Sequence, residues 1–160
     1  MKKVVIMRGW PGTLKSTRVK ELVKDLDSHE YAVCSADDYF CLKTGEYIFN
    51  HEELGSAHGY SHRIFRQAIA AGVPVVVVDA TNTTYKECKY YIQYGALEDY
   101  QIHLLEGDAP WKNDLKACAS KNVHKVPIES IRKMADRYQP NEVIAQFALE
   151  NLGVNIYYES

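Results

Sequence analysis

Lys3-Val-Val-Ile-Met-Arg-Gly9-Trp-Pro11-Gly12-Thr13-Leu14-Lys15-Ser16-Thr17 is the stretch on which the reading of this chain turns. Val4 to Met7 is an apolar run that reads as a buried strand. It ends in a Gly/Pro turn, and an amphipathic helix follows at once. Val19, Leu22, Val23 and Leu26 recur at i, i+3, i+4 and i+7, which predicts a helix from about Lys15 to Asp27. Strand, glycine loop, Lys-Ser and helix is the setting in which a phosphate-binding loop of the pattern G-x-x-x-x-G-K-[ST] makes physical sense. Backbone N–H groups of such a loop, with the helix N-terminus, form a nest for phosphate oxygens. Lys15 is placed to neutralise β- and γ-phosphates, and the Ser16 hydroxyl to ligate Mg²⁺. A plain turn before an ordinary helix is the simpler reading, but Gly9, Gly12, Lys15 and Ser16 all fall correctly behind the strand.

One position departs from the pattern. Glycine is expected immediately before the lysine, because the backbone there passes close to the phosphates with no side chain in the way. This chain has Leu14. The expectation is a tighter or differently shaped phosphate pocket and weak nucleotide binding. A left-handed backbone at Leu14 would add strain on the order of 1–2 kcal/mol.

The composition bounds the rest. A chain of 160 residues suits one domain, residues 1–160, burying about 70% of its unfolded surface. Hydrophobic content of 46% with 25% charged residues is ordinary for a globular protein. The net charge of −2 argues against a broad electrostatic grip on duplex nucleic acid, but leaves room for a local basic pocket that takes a strand end. No apolar run approaches the ~20 residues of a membrane span, and Met1-Lys2-Lys3 leads into a short strand instead of a secretion signal. Cys34, Cys41, Cys88 and Cys118 form no C-x-x-C pair and read as small apolar side chains in a reducing compartment. A soluble cytoplasmic protein is expected.

Along the chain, strands alternate with helices. Tyr31 to Ser35 reads as a second strand that delivers Asp37-Asp38-Tyr39 to its C-terminal end, where open α/β sheets place their chemistry. Cys41 to Asn50 reads as a loop, and a helix is predicted from Glu52 to Ala71, stopped by Gly72. Val73 to Val78 is an unbroken, mostly β-branched run buried on both faces, with Asp79 at its end. Thr84-x-x-Glu87 has the form of a capping box opening a third helix. A strand from Gln101 to Leu105 follows, then a helix capped by Asp108-Ala-Pro110 that carries Trp111, Leu115 and Cys118. Pro127 opens another helix, with Ile128, Ile131, Met134 and Tyr138 inward. Residues 139–160 are predicted to add a helix through Val143 and Phe147, and an edge strand from Asn155 to Tyr158. The sum is a doubly wound α/β domain with a mostly parallel sheet and helices on both faces.

Four further groups of residues carry candidate chemistry. Asp37 and Asp38, on an extended backbone, would point to opposite faces, so one faces the phosphate loop; Asp37 is the candidate general base for an acceptor hydroxyl. Asp79 fits a carboxylate that holds Mg²⁺ directly or through water. Lys116, Lys121, His124 and Lys125, with Arg132 and Arg137, form the late basic cluster from which a cation could close over a transferring phosphoryl group. His58 and His62 lie at i, i+4 but lack the glutamate of a zinc-binding helix.

Taken in order, Gly9-x-Pro-Gly12-x-x-Lys15-Ser-Thr17, Asp37-Asp38-Tyr39-Phe40, Ala57-His58, Asp79-x-Thr-Asn-Thr83, Pro110-Trp111, Lys121-Asn-x-His124-x-Val-Pro127 and Arg137-Tyr138 resemble the P-loop kinase module of NEDD4-binding protein 2-like proteins. More distantly the chain is similar to the kinase domain of bacteriophage 5′-hydroxyl polynucleotide kinases. The resemblance spans residues 2–138. It implies a P-loop NTPase fold of the nucleotide-kinase type with a helical lid. It implies transfer of the ATP γ-phosphate to a 5′-hydroxyl of RNA or DNA, with ATP and Mg²⁺ held at Gly9, Pro11, Gly12, Thr13, Leu14, Lys15, Ser16 and Thr17. Asp37 would be the base, Ser16 and Asp79 the metal ligands, Lys121 and Arg137 the lid cations, and His124 a further nucleotide contact. The phage enzymes carry an arginine where this chain has Phe40, and the lid position that is usually arginine is Lys121, a point charge in place of a bidentate fork. The low net basicity keeps a small-molecule or nucleoside kinase in view, and Leu14 keeps in view a degenerate module that binds nucleotide without turnover.

Overall fold

The computed structural model describes residues 1–159. Its centre is β1 (Lys3–Arg8), in which every residue from Val4 to Arg8 is buried. Such a strand must be flanked on both sides and covered on both faces. It pairs in parallel with β3 (Val75–Val78) on one side and β4 (Gln101–Glu106) on the other. β2 (Tyr31–Cys34) extends the sheet beyond β3, and β5 (Ile156–Tyr158) extends it beyond β4. The order is β2-β3-β1-β4-β5, parallel throughout. Register matters more than order for the site. Ile6 pairs with Val78, and Val78 with Cys34, so β2 and β3 end level, while β1 runs two residues further, paired with β4 alone. Gly9, Asp37 and Asp79 therefore leave the sheet along one edge.

The two faces are covered unequally. Val4, Ile6, Val76, Val78, Ile102 and Leu104 pack against Phe65 and Ile69 of α2 (Leu54–Ala70), Tyr91 and Ile92 of α3 (Tyr85–Leu97), and Ile144 and Ala148 of the C-terminal helix Asn141–Leu152. Val5, Met7, Val75 and Val77 face Val19 and Leu22 of α1 (Lys15–Val23). Two short helices, α4 (Leu115–Lys121) and α5 (Ile128–Arg137), pack on one another between β4 and the C-terminal helix, α6. No helix among the described residues is long and apolar enough to cross a membrane.

Several local expectations change. Helix α1 stops at Val23, and Leu26 N–H bonds the Val23 carbonyl in a closing turn. The predicted start at Glu52 is instead a 3₁₀ turn, His51–Glu53, whose cap is Asn50. Thr84 sits at the N-cap of α3 but its hydroxyl makes no cap bond. Glu87 reaches past it to the Thr83 N–H (3.3 Å) and hydroxyl. The capping box is thus displaced by one residue at its acceptor end. Asp108 does not open a helix either. The Ala109 N–H donates to the Thr13 carbonyl (3.2 Å), which holds 109–112 against the phosphate loop, and Asp114 caps α4 by accepting from the Ala117 N–H (3.2 Å).

The largest surprise of the core is Arg8, wholly buried at the end of β1. Its guanidinium donates to the carbonyls of Asn82 (2.9 Å) and Thr83 (3.2 Å), to Gln139 O, and to Asn141 Oδ1 (2.6 Å), and it lies 4.4 Å from the Tyr138 ring centroid. Glu106 completes the network by accepting from Tyr138 Oη and from Asn141 Nδ2 (3.1 Å). A buried charge is tolerated only when its donors are satisfied in this way. The network ties β1, the β3–α3 loop and the α5–α6 junction into one unit, so residues 139–158 are integral to the fold.

Candidate active site

The loop between β1 and α1 has the backbone of a phosphate nest. Gly9 and Gly12 have φ of 138° and 88°, and Leu14 is left-handed at φ 65°, ψ 33°. The strained alternative foreseen for Leu14 is the one adopted. Gly12 is required for a second reason: a Cβ there would collide with the Cys118 carbonyl oxygen, so α4 rests directly on the loop. From the opposite side Gly107 approaches equally closely, and a Cβ on it would collide with the Thr13 carbonyl oxygen. Two tryptophans lock the arrangement reciprocally. Trp111 Nε1 donates to the Gly12 carbonyl (2.8 Å), and Trp10 Nε1 to the Lys112 carbonyl (2.9 Å). Pro11 is half-buried, Thr13 Oγ1 donates to the Trp10 carbonyl (2.9 Å), and Ser16 and Thr17 are exposed in the first turn of α1.

Lys15 folds back over the loop, its Nζ donating to the Trp10 carbonyl at 3.2 Å. Burial pushes its pKa below the usual lysine value, opposed by the negative charges of Asp79 and then Asp37. For Asp79 the same physics runs the other way. Burial raises its pKa, Lys15 pulls it down, and Asp37 and Asp38 raise it again. A half-buried ammonium and a half-buried carboxylate, each acting on the other, form the kind of perturbed pair that functional sites hold.

Asp37 and Asp38 do not lie on an extended backbone. They sit in a 3₁₀ turn, Ala36–Cys41, because the Ser35 hydroxyl caps it by accepting from the Asp37 N–H (3.2 Å). The opposite-faces argument for separating the two therefore fails, and both are exposed. What distinguishes them is surroundings. Asp38 has a raised pKa from burial and from Asp37. Asp37 instead meets the lid: His124 Nε2 lies 3.5 Å from its Oδ2. The His124 ring itself lies against Tyr47, centroids 3.8 Å apart and planes tilted by 31°. His124, foreseen as a nucleotide contact, is thus placed against the candidate base.

The other lid cations are engaged. Lys121 Nζ lies 4.7 Å over the Trp111 ring, close to the loop. Arg137 Nε donates to Thr83 Oγ1 (3.0 Å) and lies 3.9 Å from Glu87. Among the described residues it makes no ion pair with Asp37 or Asp79. For a metal, Asp79 offers a hard oxygen at the end of β3, without an ion-pair partner among the described residues, and Ser16 offers an exposed hydroxyl at the start of α1. This donor set suits Mg²⁺, which prefers one or two protein oxygens and keeps its waters. Sequence reading missed Arg8, Glu106, Asn141 and Gly107. An arginine closing an apolar strand was the one available signal, since a charge there must be either solvated or paired.

A parallel sheet of order 2-3-1-4-5, with a glycine loop and lysine at the end of its central strand, defines a P-loop NTPase fold of the kinase-like type. Residues 4–141 match the family AAA_33, described as an AAA domain, and the chain belongs to that family. It is 32% identical over 136 residues to human NEDD4-binding protein 2, covering 85% of this chain and 8% of that protein. Among solved structures, a chain of the Pnkp1/Rnl/Hen1 RNA repair complex superposes with a TM-score of 0.61 at 20% identity, over 85% of this chain and 43% of that one. The AvrRxo1-ORF1:-ORF2 complex with ATP gives 0.66 at 15% identity, over 100% of this chain and 55% of that one.

Proposed function

We propose that the domain transfers the γ-phosphoryl group of ATP to a 5′-hydroxyl of RNA or DNA. The observation that carries this reading is that the phosphate loop with Lys15, the turn bearing Asp37 and the strand end bearing Asp79 leave one edge of the parallel sheet together. One acid there is suited to a metal and the other to a proton. In the reaction the acceptor oxygen forms a bond to γ-phosphorus, the bond to the β-γ bridging oxygen breaks, and ADP leaves. Asp37 takes the acceptor proton, an arrangement typically worth 10²–10⁴-fold in rate. Lys15 gives up the Trp10 carbonyl for the donor phosphates, and the N–H groups around Gly12 and Leu14 bind phosphate oxygens. Ser16 and Asp79 would hold Mg²⁺, which neutralises phosphate charge when bound. His124 must leave Asp37 before an acceptor hydroxyl can reach it, and Lys121 and Arg137 are the cations available to the transferring group. The likeness to a chain of the RNA repair complex supports the acceptor class, and the unpaired cysteines support the cytoplasmic location proposed with it. The test is phosphate transfer from labelled ATP to a panel of 5′-hydroxyl RNA, 5′-hydroxyl DNA and nucleosides. Transfer to nucleosides alone would replace the acceptor with a small molecule. Tight ATP binding with no transfer to any acceptor would leave a binding module.

A further inference from the structure

We propose that the outer face of α2 and α3 is a docking surface for a single-stranded nucleic acid whose 5′ end reaches Asp37. On α2, His58, His62 and Arg66 fall at i, i+4 and i+8, one continuous stripe, with Arg63 beside it. Residues 54–70 contain no carboxylate. On α3, Tyr90 stacks on His62 with centroids 3.9 Å apart and accepts from Arg66 Nη1 at 2.8 Å. Exposed Lys86 lies one turn before Tyr90, and exposed Lys89 adjoins it. The only acid of α3, Glu87, is spent on Thr83. In a chain of net charge −2 this stripe is basic along α2, with Glu52 and Glu53 as the nearest acids, at the helix start. Its cations crowd one another: burial, His58 and Arg66 together depress the His62 pKa.

Position turns this patch into a path. Helix α2 packs on the 3₁₀ turn that carries Asp37. Tyr39, two residues after Asp37, lies 6.2 Å from Tyr60 of α2, and Arg63 lies 5.3 Å over the Tyr60 ring. Half-buried rings and exposed guanidinium groups therefore run from the candidate base to Tyr90, beside Glu53, which accepts from the Tyr39 hydroxyl at 3.1 Å. The occupant with matching chemistry is a polyanion with free aromatic faces, which describes a single strand and not a duplex. The assignment rests on the polynucleotide reading of the active site, and it adds where the chain beyond the first nucleotide lies.

The experiment measures anisotropy of fluorescent 5′-hydroxyl 12-nucleotide RNA and DNA strands across salt, for wild type and Arg63→Gln/Arg66→Gln/Lys86→Gln. The variant is expected to bind tenfold or more weakly and to lose roughly 2 from the salt slope, at about 0.7 per phosphate contact. ATP affinity and phosphorylation of a dinucleotide should not change. The charge-keeping Arg63→Lys/Arg66→Lys variant should retain binding. Unchanged strand affinity and slope in the triple variant, alongside normal phosphate transfer, would overturn the docking surface and leave the kinase reading intact. Strand binding that depends on these residues, without transfer to any 5′-hydroxyl, would do the reverse. Equal binding of duplex or of anionic vesicles would overturn the single-strand assignment.

Discussion

Leu14 offers the sharpest test of how the phosphate loop is built. Its left-handed backbone costs an L-residue on the order of 1–2 kcal/mol, a cost glycine does not bear. Replacing it with alanine removes the side chain and keeps the strain; replacing it with glycine removes both. Glycine in turn loses about 0.5–1 kcal/mol more backbone freedom than alanine on folding. The difference leaves Leu14→Gly about 0.5–1 kcal/mol more stable than Leu14→Ala, the opposite of their order at an ordinary helical position. For a domain of this size that is about 1–4 °C in Tm. Scanning calorimetry of the two variants measures it, with truncation of the half-buried side chain common to both. The same geometry revises the expectation of an obstructed pocket. Since Leu14 already follows the path a glycine would take, its N–H is in place, and Leu14→Gly should bind ATP within about threefold of wild type. An alanine variant as stable as the glycine variant would refute the strain argument. A tenfold gain in affinity, about 1.4 kcal/mol, would show that the side chain does obstruct the phosphates.

Asp37→Ala should lower single-turnover phosphate transfer by 10²–10⁴-fold while calorimetric ATP binding stays intact; normal turnover would remove the general-base assignment. Lys15→Met should abolish nucleotide binding yet raise the Tm of the nucleotide-free domain, because burial already holds the Lys15 pKa below its ordinary value. The sign follows from linkage: between the folded and unfolded pKa of Lys15 the unfolded chain binds more protons, so wild-type stability rises with pH through that window, and Lys15→Met should flatten the rise. Residues 116–127 should gain amide-exchange protection with an ATP analogue, as His124 exchanges Asp37 for a closed position; unchanged exchange would remove this segment from the mechanism.

The strands were legible because they are apolar runs with nothing else to become. Val75 to Val78 can only be an interior strand, and the Gly9–Ser16 spacing has few other uses. The errors cluster where one hydrogen bond decides between local alternatives. Asp108 and Asp114 are equally good caps in sequence, and what separates them is the Thr13 carbonyl, far upstream in the chain and invisible to local spacing. The N–H that takes this carbonyl is that of Ala109, so the neighbouring Asp108 is left without a helix to cap. Ser35 acts on Asp37 in the same way: its hydroxyl bends the chain into a 3₁₀ turn where an extended backbone was expected at Asp37 and Asp38. The site was readable as a set of residue types and unreadable as a geometry. Lys15, Asp37 and Asp79 could be named from spacing, whereas the pairing of His124 with Asp37 depends on how a lid far downstream folds back, and no local pattern encodes that.

The Arg8 network also sets the order in which this domain can be completed. Arg8 belongs to the first strand of the domain to be synthesised, while its partner Asn141 lies 133 residues further on, at the start of α6. Until that helix has left the ribosome, the emerging chain holds a guanidinium at the end of its central strand with Asn141 and the Gln139 carbonyl both missing. The strand that leads into the phosphate loop thus ends in an incompletely paired arginine in every nascent fragment that stops before Gln139. The proposed nucleotide binding should then appear only once α6 is in place, and a chain stalled or clipped before Gln139 should present itself to chaperones and proteases as an incompletely folded one.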